Sequence, residues 1–393
     1  MASGSATRSR GAARLRRVAC CVCSSARVAA FLTGHALRAM AKRACDGALV
    51  TTPGGDDKRA RTDAAGALVP AAPGGGTLAV AGPARTSDLL APIMLLTGHA
   101  APVMSTKFSP DGQHVLSGSH DKLMLLWETF GECANILTFR GHSKAILEVH
   151  WSGDGESAFT ASADKTAALW DAKTGARIRQ FKGHTSHVNS FCPARDSATC
   201  ASASDDSACR IWDARVRLCQ QTIPHPWAVT AACVAASGTH VYTGCLDGVV
   251  RAYDLRRPEK VHLELEGHQD IVTGLALSPD GTSLLSNAMD NVIRCWDVKP
   301  YAADDRCSKV FLGAQHNYEK NLIKCAWSAN GKQIGAGSAD AFVYVWDAAS
   351  KRIAYKLPGH AGSVNEVVFH PTQPIICSCG NDKNIYLGEI RPS

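Results

Sequence analysis

Between residues 145 and 181, apolar and β-favouring residues gather into four short runs separated by turn residues. Ala145 to Trp151 and Ser157 to Ser162 flank Ser152-Gly153-Asp154-Gly155. Thr166 to Trp170 follows Ala163-Asp164-Lys165, and Lys173-Thr174-Gly175 leads into Arg177 to Phe181. Short alternating runs punctuated by Gly, Asp and Ser predict strands joined by tight turns. Four such strands make one antiparallel sheet with two apolar faces, and one sheet cannot bury both alone.

The pattern repeats along the chain. A Gly-His pair opens the unit at His142. A turn Asp follows 22 residues later at Asp164, and Trp170 stands 6 beyond. The same ruler fits His99/Asp121/Trp127, His184/Asp206/Trp212 and His268/Asp290/Trp296. It fits His225/Asp247 with Tyr253 in the Trp position, and His360/Asp382 with Gly388 there. With two extra residues after the His, it fits His316/Asp340/Trp346. Seven copies at roughly 40–45 residues predict seven four-stranded blades around an axis. The unit resembles the WD repeat, and seven copies resemble a seven-bladed all-β propeller over residues 93–393.

The chain's two ends bear on closure. Residues 93–97 read as a fourth strand with no blade before it, and the chain ends one strand after Asp382. The expectation is that strand 93–97 completes the last blade, which removes exposed sheet edges.

Charge divides the chain. Residues 1–88 hold 13 Lys/Arg against 5 Asp/Glu, and the remainder 29 against 30. The basic excess therefore belongs to an Ala/Gly/Pro-rich segment, 1–88, read as a disordered tail. Residues 1–45 contain no acid and have a transit-peptide-like composition, whereas Lys58-Arg59-Ala60-Arg61 is a cluster of nuclear-import type. A solvated basic patch and an upstream extension before Met40 are the other readings of this tail. The near-neutral propeller carries no broad nucleic-acid footprint. No run approaches the 18 apolar residues of a membrane span. The 16 Cys lack paired zinc-finger spacing, and those in strands read as small buried hydrophobes.

His, Asp and a hydroxyl recur in each unit, since Ser117, Thr160, Ser202, Thr243, Ser286 and Ser378 stand four residues before the Asp, with Ala336 in the sixth copy. A catalytic triad needs one site, whereas repetition in register suits a scaffold. The WD resemblance implies a hydrogen-bonded tetrad of Trp, Ser/Thr, His and Asp in each blade. It includes His99, Ser117, Asp121, Trp127, His142, Thr160, Asp164, Trp170, His184, Ser202, Asp206, Trp212, His268, Ser286, Asp290 and Trp296, with partial sets at His225, Thr243, Asp247, at Asp340, Trp346 and at His360, Ser378, Asp382. No phosphate loop or zinc helix appears, so neither catalysis nor a cofactor nor a metal is expected.

The same resemblance implies a narrow protein-binding face at fixed positions around each His and Asp. Carried onto this chain, the partner-binding candidates are Met104, His120, Leu147, His187, Asn189, Leu246, Ile271, Met289, Ile323 and Asn365. Tyr301 and Tyr318 join them from the longest inter-repeat interval. Asn287-Ala288-Met289-Asp290 and His316-Asn317-Tyr318-Glu319-Lys320-Asn321 go beyond the generic repeat. They resemble the small WD-repeat proteins of the spliceosomal U5 small nuclear ribonucleoprotein. That resemblance implies a nuclear, non-catalytic subunit in pre-mRNA splicing, bound to the large central scaffold protein and other U5 particle proteins, with RNA contact indirect or minor. A WD-repeat adaptor or substrate receptor of another complex, such as a ubiquitin ligase, is the alternative.

Overall fold

The computed structural model describes residues 85–391 except 197, 303 and 304. The tail expectations for residues 1–84 fall outside the described residues. Among those described, the chain forms seven four-stranded antiparallel sheets. The second blade shows the plan: Ile146–Trp151, Ser157–Ser162, Thr166–Asp171 and Arg177–Lys182, each paired with the next. The first blade spans 103–139, and the third to sixth span 188–224, 229–265, 272–312 and 325–357.

The seventh blade closes the ring. Its inner strands are Val364–Phe369, Ile375–Gly380 and Ile385–Glu389. The outer strand is Ile93–Leu96, one residue shorter than the sequence indicates, and it pairs with Ile385–Glu389 from Ile93↔Gly388 to Leu96↔Ile385. Residues before 89 already pack on this blade. Arg85 pairs with Glu389 at 2.9 Å, Asp88 N donates to the Gln373 side chain at 3.1 Å, and Leu89 is buried. The expected tail boundary at 88 thus lies inside chain that docks on the seventh blade.

The core lies between blades, as the two-faced sheet requires. Phe159 stacks on Phe191 of the next blade at 5.4 Å between centroids, and Phe181 lies on the same ring. Gly118 permits a close approach, since a Cβ there would stand 2.7 Å from Val149 of the neighbouring blade. Free Cys209, Cys295, Cys325, Cys377 and Cys379 fill strands as small apolar groups, and burial pushes the Cys377 and Cys325 thiols up to about 12.

In four of the seven blades a full tetrad ties the inner turn to the third strand. Trp170 Nε1–H donates to Thr160 Oγ1 at 2.9 Å, and Thr160 and His142 Nε2 stand 2.7 Å apart. His142 Nδ1 lies 2.8 Å from Asp164, which also accepts the Ser143 backbone N–H at 3.1 Å. Neutral imidazole fits this chain, with Nδ1–H donating to the carboxylate and Nε2 accepting from the hydroxyl. Burial holds the His99, His184 and His360 pKa values below the ordinary range despite the pull of their Asp partners. The same chain recurs at His99/Ser117/Asp121/Trp127, His184/Ser202/Asp206/Trp212 and His268/Ser286/Asp290/Trp296.

Three blades depart from it. In the fourth, His225 reaches Thr243 at 2.9 Å, but its Nδ1 turns to the Ile223 carbonyl at 3.0 Å. Asp247 pairs with Arg251 instead, because the Pro226 that follows the His has no N–H to draw the carboxylate inward. In the sixth, Ala336 offers no hydroxyl, so Trp346 donates to the Leu312 carbonyl at 3.1 Å. Asp340 accepts from Tyr344 at 2.7 Å, not from His316. The seventh keeps the His360–Asp382 and His360–Ser378 contacts, and Tyr386, two residues before Gly388, packs edge-on against His360 at 4.6 Å.

A chain starting at residue 85 should melt with the full-length protein. One starting at 99 loses the closing strand and buried Leu96, and should be less stable by about 3 kcal/mol or more. Equal thermal melting of the two would refute the closure. Asp164→Ala orphans the His142 and Ser143 donors and should cost about 1–3 kcal/mol. Burial opposes ionisation of Asp164, but donors from His142, Thr166 and Ser143 outweigh it and hold its carboxyl well below the ordinary 3.8. Its stabilising contribution is therefore full above that value and fades as pH falls below it. Denaturant melts of both proteins across pH 7 to roughly 3 should show their difference shrinking in acid.

Candidate functional site

Each blade presents two kinds of loop on one face of the ring. One carries the repeat His between blades, and the other carries the tetrad Asp between the second and third strands. In five of the seven blades the His–Asp bond joins the two loops and holds this face together.

The structure divides the sequence candidates for this face. Met104, Leu147, His187, Leu246 and Met289 are half-buried there, and His120 and Tyr318 are exposed. Asn189, Ile271, Ile323 and Asn365 are buried and serve the fold instead. Asn189 donates to Asp205 at 2.6 Å and to the Val229 carbonyl at 3.1 Å, bridging two blades. Asn365 donates to the Val103 carbonyl at 2.7 Å and to Asn381 at 2.9 Å. Ile323 offers its carbonyl to Thr273 and to Asn287 while its side chain packs inward.

Tyr301 does not join the face. Tyr301 and Tyr318 flank opposite ends of the strand Cys307–Leu312, so Tyr301, 99% exposed, lies on the far side of the ring. Tyr318 is 91% exposed. Next to it, Glu319 accepts from Asn321 and Asn381 at 3.1 Å each, fixing the inserted loop against the seventh blade. His316 at the base of that loop is driven down to about 4 by burial and is neutral.

Trp227, 40% exposed, also stands on the His-loop face, and the spacing rule misses it because it lies two residues after His225. Its signal is the departure itself, Pro224-His225-Pro226-Trp227, where five other blades carry Gly-His and the sixth Gln315-His316.

Behind the face, the channel at the ring's centre is a cavity of about 280 Å³ lined by Lys107, Glu148, His150, Cys192, Lys324 and Glu366. On the inner edges of the blades, Glu148, Lys324 and Glu366 share one register, and Lys107, His150 and Cys192 share the register two residues on. Glu366 pairs with Lys107 and accepts from Ser105 at 2.6 Å and from the Thr106 backbone at 2.9 Å. Lys324 of the sixth blade reaches Glu148 of the second at 2.5 Å, though misaligned for a hydrogen bond, and Glu148 also accepts the Phe191 N–H at 2.9 Å. Burial opposes both carboxylates, but the lysines and donors outweigh it and hold them ionised. The channel charges are thus spent on one another, bracing blades across the axis. Among the described residues, no cluster of His, Cys, Asp and Glu could hold a metal ion, and no helix is long and apolar enough to cross a membrane.

The comparisons with known proteins follow this architecture blade by blade. A family model described as WD domain, G-beta repeat matches residues 90–128, 133–171, 175–213, 217–254, 259–297, 306–347 and 351–387. The chain is 50% identical over 317 residues to the human U5 small nuclear ribonucleoprotein 40 kDa protein, covering 80% of this chain and 88% of that one. It is 44% identical over 320 residues to the protein of the same name from Dictyostelium discoideum, covering 81% and 90%. It is also 44% identical over 307 residues to the pre-mRNA-splicing factor cwf17 of Schizosaccharomyces pombe, covering 78% and 90%. Seven matched repeats on seven closed blades leave one conclusion: the chain belongs to the WD domain, G-beta repeat family.

Proposed function

We propose that this protein is a non-catalytic docking subunit of a U5-type small nuclear ribonucleoprotein, acting in the nucleus in pre-mRNA splicing. The observation that carries the reading is the match along nearly the whole propeller to relatives named for that particle and for splicing. The geometry supports the same reading. Polar groups that a catalytic site would leave free are consumed in tetrads and in the channel, and what remains for function is surface.

That surface suits protein contact. Met104, Leu147 and Met289 offer partly exposed apolar groups on a rigid frame, and Tyr318 and Trp227 stand as aromatic anchors towards its rim. Apolar and aromatic residues inside a polar rim are what the centre of a protein interface is built from. The partner in this reading is a large scaffold protein of the spliceosome, with RNA contacts indirect. Residues 89–393 carry 29 basic against 30 acidic side chains, which supplies no general attraction for phosphates.

Replacing Met104, Leu147 and Met289 together by Asp should leave the melting curve nearly unchanged and release the tagged protein from U5 components in nuclear extract. Retention of those components by the folded variant would sink the face assignment. Residues 85–393 should bind single-stranded RNA no more tightly than roughly 10⁻⁴–10⁻⁶ M at physiological salt. Submicromolar, salt-resistant binding would replace the docking role with RNA reading.

A further inference from the structure

Charge on the His-loop face is divided by sector. Blades seven, one and two are consecutive around the ring, since Val103–Phe108 packs against both Ile146–Trp151 and Val364–Phe369. Their face loops carry Lys383, Lys122, Arg140, Lys144 and Lys165, all exposed. None of the five side chains makes an ion pair or hydrogen bond among the described residues. Elsewhere Lys107, Lys173, Lys324 and Lys356 are each paired with a carboxylate.

The only acids in these face loops are Asp121, Asp164 and Asp382. Their side chains are just 8%, 7% and 6% exposed, and each is occupied by a His and a backbone N–H. The cations therefore face solvent and the anions face the fold. The loops of blades three to six lean to the opposite sign, with Asp205, Glu266, Asp270 and Glu319 against Lys320, and Lys182 ends the second blade's outer strand.

Lys122, Lys165 and Lys383 sit at φ of 73°, 71° and 69°, directly after the tetrad Asp. Those turns point the lysines away from the sheet, and the backbone there would be less strained with Gly or Asn, as Gly248 and Asn291 show in blades four and five. The partly exposed Met104 and Leu147 belong to the same sector. An unpaired basic rim around an apolar floor complements an acidic segment with an apolar residue within it. Among the described residues, the sector's loops expose no Trp, Tyr or Phe, since Trp227 and Tyr318 lie on loops of other blades, and His120 is the one exposed ring there; this favours a peptide over single-stranded nucleic acid.

The geometry points to an acidic peptide stretch of the partner lying across blades seven, one and two, held by these five cations with an apolar side chain on Met104 and Leu147. This rests on the docking reading and names the partner's chemistry.

The test uses the full chain and a variant with Lys122→Asn, Lys165→Asn, Lys383→Asn and Lys144→Gln. Asn tolerates the left-handed turn, so the charge is removed with the backbone preference kept. The probes are a fluorescein-labelled Glu-rich peptide with a central Leu and a labelled oligouridylate of equal net charge. The variant should bind the peptide roughly tenfold more weakly and the oligouridylate within about twofold of the parent, the N-terminal basic segment being common to both proteins. Glu266→Gln with Asp270→Asn should not weaken peptide binding. Unchanged peptide affinity in the lysine variant, or equal loss for both probes, overturns the inference. In nuclear extract, loss of U5 components only from the Met104/Leu147/Met289 variant leaves the docking reading standing and the acidic partner refuted. Loss from neither variant refutes docking itself.

Discussion

A four-stranded sheet with two apolar faces has no stable existence in water by itself, and the rest of this molecule follows from that constraint. Each blade must lie between two others, so the sheets form a ring and the ring must close. Aromatic layers such as Phe159, Phe181 and Phe191 fill the gaps between blades. The tetrads act inside blades, where Trp, hydroxyl, imidazole and carboxylate satisfy one another in series and leave few buried polar groups without a partner. Closure and tetrads divide the work: packing decides how blades meet, and hydrogen bonding decides where the His and Asp loops sit.

The period of the repeat makes the architecture legible, because one spacing rule fixes strand order, turn positions and blade count together. The closing strand is readable because a fourth strand stands at the start without a blade and the last blade ends one strand short. The same rule fails where chemistry substitutes for position. Pro226 redirects Asp247 to Arg251, Tyr344 takes over Asp340, and Tyr386 supplies an aromatic ring two residues early. A fixed-offset reading sees these as losses, whereas the structure finds each polar or apolar need met by another residue.

The face is less legible than the fold. Offsets from His and Asp locate loops but not exposure, so Asn189, Asn365 and Ile323 read as outward although neighbouring blades bury them. Sequence proximity likewise joins Tyr301 to Tyr318, which one intervening strand places on opposite faces. The channel pair Glu148–Lys324 lies beyond any local rule, because it joins equivalent registers of blades that are distant in sequence. Charge counted over a whole domain also conceals its distribution: a near-neutral propeller carries a basic sector and an acidic one.

The closing strand has a consequence for synthesis. Ile93–Leu96 is made before the other described strands and pairs with residues 385–388 of the last of them. At about 5–20 residues per second, it waits on the order of 15–60 s for its partner. Throughout that interval six blades can stack in order while both ends of the array remain open edges. The strand made earliest is thus the edge left unpaired for longest, and a nascent ring is open to pairing with a neighbour's last blade until its own is complete.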